Sequence, residues 1–130
     1  MPDPLKKRGL ILFAHGARDP RWAAPFERLR DMVGAALPES VVSLAFLELM
    51  TPRLPELVEQ LVRQGVGELT VVPVFLGQGG HVLRDLPVMV EQLRIAHPAL
   101  ALNVADAVGE DADVLKAMMR YCVEAQKRGP

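Results

Sequence analysis

Two periods alternate along the chain. Short, nearly unbroken apolar runs occupy residues 9–14 (GLILFA), 41–47 (VVSLAFL), 69–75 (LTVVPVF) and 100–105 (LALNVA), each bounded by Gly, Pro, Ser or acidic residues. Hydrophobicity that is continuous rather than alternating predicts strands buried on both faces of a parallel sheet. Pro73 is a blemish in the third run, because it removes a ladder donor. Between the runs, apolar residues recur at helical spacing. Trp22, Phe26, Leu29, Val33 and Ala36 make one stripe. Leu54, Leu57, Val58, Leu61 and Val62 make a second, with Thr51 placed as N-cap, Pro52 at the first helical position and Gly65 to stop it. Val82, Leu86, Met89, Val90 and Leu93 form a third, ahead of Pro98. Val114, Leu115, Met118, Met119 and Cys122 form a fourth. Trp22 and the Met118–Met119 pair read most simply as core.

The order βαβαβαβα predicts an α/β fold with right-handed crossovers: a single three-layer domain over residues 1–130 around a four-stranded parallel sheet. At 130 residues the chain can bury a real core but is too short for two ordinary domains. A unit of this kind takes the flavodoxin-like strand order 2-1-3-4, and ligands bind outside the carboxyl ends of the strands where that order reverses.

That topology gives meaning to three residues. His15 ends the first run and Gly16 turns the chain, Glu48 ends the second run, and His81 follows the turn GQGG after the third. Adjacent strands lie ~4.8 Å apart, so three neighbouring strands would each deliver one potential ligand to the same edge. Zinc-like ions bind imidazole at ~2.0–2.1 Å and carboxylate at ~2.0–2.2 Å, which inward-leaning side chains could satisfy. Glu48 stands between Phe46-Leu47 and Leu49-Met50, an apolar setting in which a carboxylate needs a metal, an arginine or a histidine as partner. His97 lies in the last turn of a helix before Pro98, where it complements the helix dipole and reads as structural. Arg18, Arg21, Arg53 and Arg84 fall in or near the same loops. Their guanidinium groups suit carboxylates or phosphates, although Asp19 and Asp85 are alternative partners. Gly77, Gly79 and Gly80 allow close backbone approach to a ligand, but GQGG lacks the spacing of a P-loop or a dinucleotide fingerprint.

Composition narrows the field. A net charge of −1 gives no global attraction to nucleic acid or an anionic membrane. One cysteine excludes an internal disulfide framework and fits a reducing cytosol. The first eight residues are polar and basic with no apolar core behind them, and no run approaches a membrane span, so a cytoplasmic protein is expected. The only serines, Ser40 and Ser43, lie in no nucleophile elbow, and Cys122 sits in mid-helix, a poor place for a nucleophile.

Residues 15–22 (HGARDPRW), 46–54 (FLELMTPRL) and 72–87 (VPVFLGQGGHVLRDLP) together resemble the small CbiX-type class II chelatases, the sirohydrochlorin cobaltochelatase and ferrochelatase relatives. Three motifs in the right order carry the resemblance over nearly the whole chain. It implies a parallel-sheet chelatase fold and insertion of a divalent metal (Co²⁺, Fe²⁺ or Ni²⁺) into sirohydrochlorin, in cobalamin or sirohaem biosynthesis. The metal is then a substrate, with no permanent cofactor. Short members resemble one half of the two-domain chelatases and pair as homodimers. The family's metal-binding and catalytic histidines fall on His15 and His81, and its acidic residue on Glu48. Beyond the family pattern, Arg18, Arg21 and Arg84, with Gly79 and Gly80, are candidates for holding the carboxylate-rich rim of sirohydrochlorin.

The chemistry of the residues agrees. Metal insertion needs an ion held loosely, stripped of water, and a base for two pyrrole protons. Neutral imidazoles bind Co²⁺ or Fe²⁺ and exchange protons near neutrality. Two histidines and one carboxylate leave positions open for the incoming nitrogens. The rivals are a non-catalytic metal or tetrapyrrole carrier on the same fold, and a histidine phosphatase. The latter usually needs an arginine before the histidine, where Ala14 stands. A signalling receiver domain is disfavoured because no acidic cluster ends the first strand.

Overall fold

The computed structural model describes residues 6–77 and 80–130; for residues 80–83 the description stops at the backbone. Four strands, β1 (Lys7–Ala14), β2 (Val41–Phe46), β3 (Val66–Pro73) and β4 (Ala101–Val104), alternate with α1 (Ala24–Ala36), α2 (Leu54–Arg63), α3 (Gly80–Ala96) and α4 (Ala112–Arg128). Short 3-10 turns at Pro20–Ala23 and Val108–Glu110 precede α1 and α4. The sheet is all parallel in the order β2-β1-β3-β4, as the sequence predicts. Ile11 stands beside Ser43 on one side and Val71 on the other, and Val71 beside Val104.

Successive strand residues point to opposite faces, and the two faces differ. On the first, Ile11, Phe13, Ala45, Leu69, Val71 and Leu102 pack against α2 (Leu54, Leu57, Val58, Leu61) and α3 (Leu86, Val90, Leu93). On the second, Leu12, Ala14, Leu44 and Phe46 pack against Ala23 and half-buried Trp22, Phe26 and Leu29. Trp22 stacks on Phe26 with ring centroids 4.5 Å apart, so it is a half-covered lid on this smaller cluster rather than core.

Several local expectations are corrected. β3 starts at Val66, three residues early, because Val66, Glu68 and Leu69 pair with Lys7, Arg8 and Gly9 of β1 despite two nearby glycines. It ends at Pro73, which lacks a ladder N–H, though the Val74 N–H still donates to the Phe13 carbonyl. Thr51 does not cap α2: the cap position is Arg53, with no side-chain cap bond, and Pro55 is the proline of the first turn. The cause is a competing pairing, in which the Pro52 carbonyl accepts from the Phe46 N–H at 3.0 Å and Phe46 bridges Arg53. Gly65 ends α2 as expected, with φ +94 and its N–H donating to the Val62 carbonyl at 3.0 Å. The largest correction is α4. None of its residues is buried, so Met118, Met119 and Cys122 are exposed instead of core. Among the described residues the only element packed closely against α4 is the Val108–Glu110 turn.

Candidate functional site

Past the named ends of β1 and β2 the strand pairing continues for two residues. The Leu47 N–H donates to the Ala14 carbonyl at 2.8 Å and the Glu48 N–H to the His15 carbonyl at 3.0 Å. On the other flank the Val74 N–H donates to the Phe13 carbonyl at 2.8 Å. The backbones of His15 and Glu48 are thereby locked side by side at the carboxyl edge of the sheet. Gly16 is what permits it. Its φ is +94, and a Cβ there would collide with the Glu48 carbonyl oxygen. Only glycine satisfies both conditions.

His15 projects an exposed ring from this edge. Its centroid lies 4.3 Å from that of Phe75, at 47° between planes. Phe75 is buried and meets Phe13 edge-on at 5.9 Å. A fixed aromatic floor therefore supports one side of the imidazole and leaves the rest of the ring open.

Glu48 is exposed, which corrects the expectation of an apolar setting with an obligatory partner. The loop after β2 turns outward, and among the described residues the Glu48 carboxylate has no hydrogen bond or ion pair. Leu49 beside it holds φ +68, uncommon for a branched residue, with its side chain 54% exposed. Leu76, one residue beyond Phe75, is 63% exposed. Phe75, Leu49 and Leu76 were not singled out from the sequence: Phe75 was absorbed into the third apolar run, and Leu49 and Leu76 lie just beyond the second and third runs with no signal but that position.

The other candidates divide. Arg18 is exposed, with no ion pair among the described residues. Arg21 is engaged by Asp19, Nη2 to Oδ2 at 2.8 Å, while the Arg21 N–H donates to Asp19 Oδ1 at 2.9 Å. The Arg21 guanidinium, and then its backbone N–H, hold the Asp19 carboxyl below its usual range. Arg53 occupies the N-cap position of α2 without a side-chain cap bond, and Arg84 lies exposed on α3. Gly80 and His81 are the first two residues of α3, the helix that follows β3. The His81 side chain and all of Gly79 lie outside the described residues. His97 follows the last residue of α3 and links the helix end to the next turn, its N–H on the Leu93 carbonyl at 2.9 Å and its carbonyl accepting from Leu100. Among the described residues no three of His, Cys, Asp and Glu cluster to hold a metal; His15 and Glu48 are the pair whose backbones this edge joins.

The CbiX family profile matches residues 9–125. The chain belongs to the CbiX family. A CbiX protein from Marinobacter aquaeolei VT8, named for cobalamin (vitamin B12) biosynthesis, superposes with a TM-score of 0.83 at 32% identity, covering 94% of this chain and 99% of that one. The sirohydrochlorin cobaltochelatase of Saccharolobus solfataricus is 25% identical over 92% of this chain and 97% of its own length. That of Methanopyrus kandleri is 35% identical over 62% of this chain, an alignment that spans only 56% of the relative. The fold also matches the cobalt complex of the sirohydrochlorin chelatase SirB from Bacillus subtilis subspecies spizizenii, with a TM-score of 0.78 at 24% identity over half of that chain. For a CbiX-family chain the parallel sheet and its carboxyl edge are therefore the family's own frame.

Proposed function

We propose that this CbiX-family chain is a sirohydrochlorin chelatase, a lyase that inserts Co²⁺ or Fe²⁺, with Ni²⁺ a third substrate, into the tetrapyrrole. The observation that carries the reading is the laced edge, where the Glu48 N–H donates to the His15 carbonyl and sets an open imidazole and a solvated carboxylate on neighbouring strand ends. His15, with Glu48 and His81, receives the metal ion as a substrate. An incomplete donor set suits an ion that must leave. Once the ion moves to the pyrrole nitrogens, the freed imidazole accepts pyrrole protons. Exposed Leu49 and Leu76 offer apolar contact to the macrocycle face. Arg18 and Arg84, together with Gly79 and Gly80, take its carboxylate rim, and Arg21 joins them on exchanging Asp19 for substrate.

Within this reading the whole chain works as one chelatase domain in the cytoplasm, and two chains pair to complete a two-lobed cleft. The exposed free thiol of Cys122 suits a reducing compartment, and among the described residues no helix is long and apolar enough to cross a membrane. The test follows absorbance during metal-dependent conversion of sirohydrochlorin. Wild type should make more than one equivalent of metallated product per chain. His15→Ala and His81→Ala should each lose about a hundredfold or more in rate while keeping wild-type circular dichroism. Undiminished rates in both variants would remove the histidines from the chemistry.

A further inference from the structure

His15 and Glu48 share the carboxyl edge, but their side chains are held unequally. Glu48 stands exposed on a loop that turns outward beside Leu49, whose φ is +68. His15 is exposed too, yet its imidazole rests on Phe75, with 4.3 Å between ring centroids and 47° between planes. A histidine at a strand end has roughly three staggered χ1 wells to sample. Contact with an aromatic ring favours the well that makes it by about two- to tenfold.

A bias of this kind is steady only when the supporting ring cannot move. Phe75 is buried in the first-face core and meets Phe13 edge-on, at 5.9 Å and 68°. The backbone is fixed on both sides of it. Just before, the Val74 N–H donates to the Phe13 carbonyl at 2.8 Å, and the Phe75 carbonyl itself accepts from the Gly109 N–H at 2.9 Å. A Cβ on Gly109 would collide with the Leu76 backbone, so the turn ahead of α4 lies directly on the segment that carries Phe75. β1, the exit of β3 and the Val108–Glu110 turn thus converge on one ring. Filling the core needs only apolar bulk, which leucine would supply. Giving an exposed histidine a flat face to rest on is a second task, and it needs an aromatic residue.

We propose that Phe75 is a positioning residue for His15: its ring holds the imidazole in one orientation before the metal ion arrives. His15 is then the preset donor, to which the looser Glu48 carboxylate adds. The proposal rests on the reading above, in which His15 receives the ion. Phe75, buried beneath the imidazole, acts through it rather than on the ion. A donor free to turn is competent only part of the time, and its apparent affinity falls by that fraction. With about three wells to share, loss of the aromatic floor weakens the hold on a metal ion about threefold or more without removing any ligand.

Co²⁺ alone, added to the full chain and followed by the visible absorption of protein-bound cobalt, tests it. Phe75→Leu keeps most of the apolar bulk and removes the flat face, and its Co²⁺ dissociation constant should rise about three- to tenfold. Leu61→Ala injures the same core from α2 and should leave Co²⁺ affinity within about twofold. Metal-free NMR gives an independent readout: couplings about the His15 Cα–Cβ bond should report one χ1 rotamer in wild type and an average in Phe75→Leu. Couplings already averaged in wild type would overturn the proposal without any variant. So would an unchanged Co²⁺ affinity or a retained single rotamer in Phe75→Leu, or equal weakening by Leu61→Ala, and each would leave the chelatase reading intact. A His15→Ala variant that binds Co²⁺ as tightly as wild type would instead remove His15 as receiver of the ion, and the positioning role with it.

Discussion

α2 and α4 each carry an apolar stripe at helical spacing, yet α2 hides Leu54, Leu57, Val58 and Leu61 against the sheet while α4 hides nothing. The difference lies in how each helix is tied. α2 is fixed at both ends: the Phe46–Arg53 bridge sets its start, and Gly65 returns the chain at once into β3. Among the described residues α4 packs closely only at its start, against the Val108–Glu110 turn. Amphipathic spacing therefore reports that a helix has a face to cover. The connections decide what covers it.

The largest effect that separates the two helices is Leu61→Ala. Leu61 is 1% exposed inside the first-face core, and its truncation should cost about 2–5 kcal/mol in urea unfolding, with the same loss at every protein concentration. Leu115→Ala should cost less than about 1 kcal/mol in dilute solution. Its deficit should grow as protein concentration rises if the proposed pairing of two chains covers that side chain. Equal, concentration-independent losses would erase the distinction between the helices.

The sequence carried most of the frame. Continuous apolar runs gave four parallel strands, although β4 is covered on one face only, with Ala101 and Asn103 exposed, and their alternation with helical stripes gave the order 2-1-3-4, because a short parallel sheet has few ways to be covered. His15 and Glu48 were legible as strand-end residues for the same reason. Less local features were not legible. Gly16 reads as a turn residue, but its collision partner is the Glu48 carbonyl, more than thirty positions away and visible only in three dimensions. Glu48 looks buried from its neighbours, yet the outward turn at Leu49 solvates it. Thr51-Pro52 has the form of a helix start, and pairing of Phe46 with the loop overrides it. The fate of α4 was hidden because its stripe has the helical spacing of a core helix.

Two glycines offer the next sharpening, since each holds one of the contrasted regions in place. Gly16→Ala forces a side chain into φ +94 and against the Glu48 carbonyl, a strain of about 1–3 kcal/mol. The loop between β2 and α2 should shift and metal insertion should fall, while α2 stays protected because its cover is the core. Gly109→Ala strikes the turn against which, among the described residues, α4 packs closely. It should cost about 1–3 kcal/mol by overpacking, and amide exchange should quicken along α4 but not α2. Exchange that rises equally in both helices would mean that α4 is tied down elsewhere.

The smallest effect sets the two helix starts against each other. Asp111 caps α4 by accepting from the Val114 N–H, and Asp111→Ala should cost about 1 kcal/mol, the ordinary worth of a side-chain cap. Thr51 makes no cap bond to α2, so Thr51→Ala should stay within about 0.5 kcal/mol. The asymmetry follows from burial. α2 is held by four buried side chains and tolerates an uncapped start, whereas α4, lacking any, depends on satisfying its first-turn N–H groups locally. Hydrogen exchange at Val114 reads the cap directly and should accelerate in Asp111→Ala, with no matching change at Leu57 in Thr51→Ala. A Thr51→Ala loss as large as that of Asp111→Ala would restore the capped start that the residue pattern suggests for α2, and would remove the Phe46–Pro52 hydrogen bond as the reason it is absent.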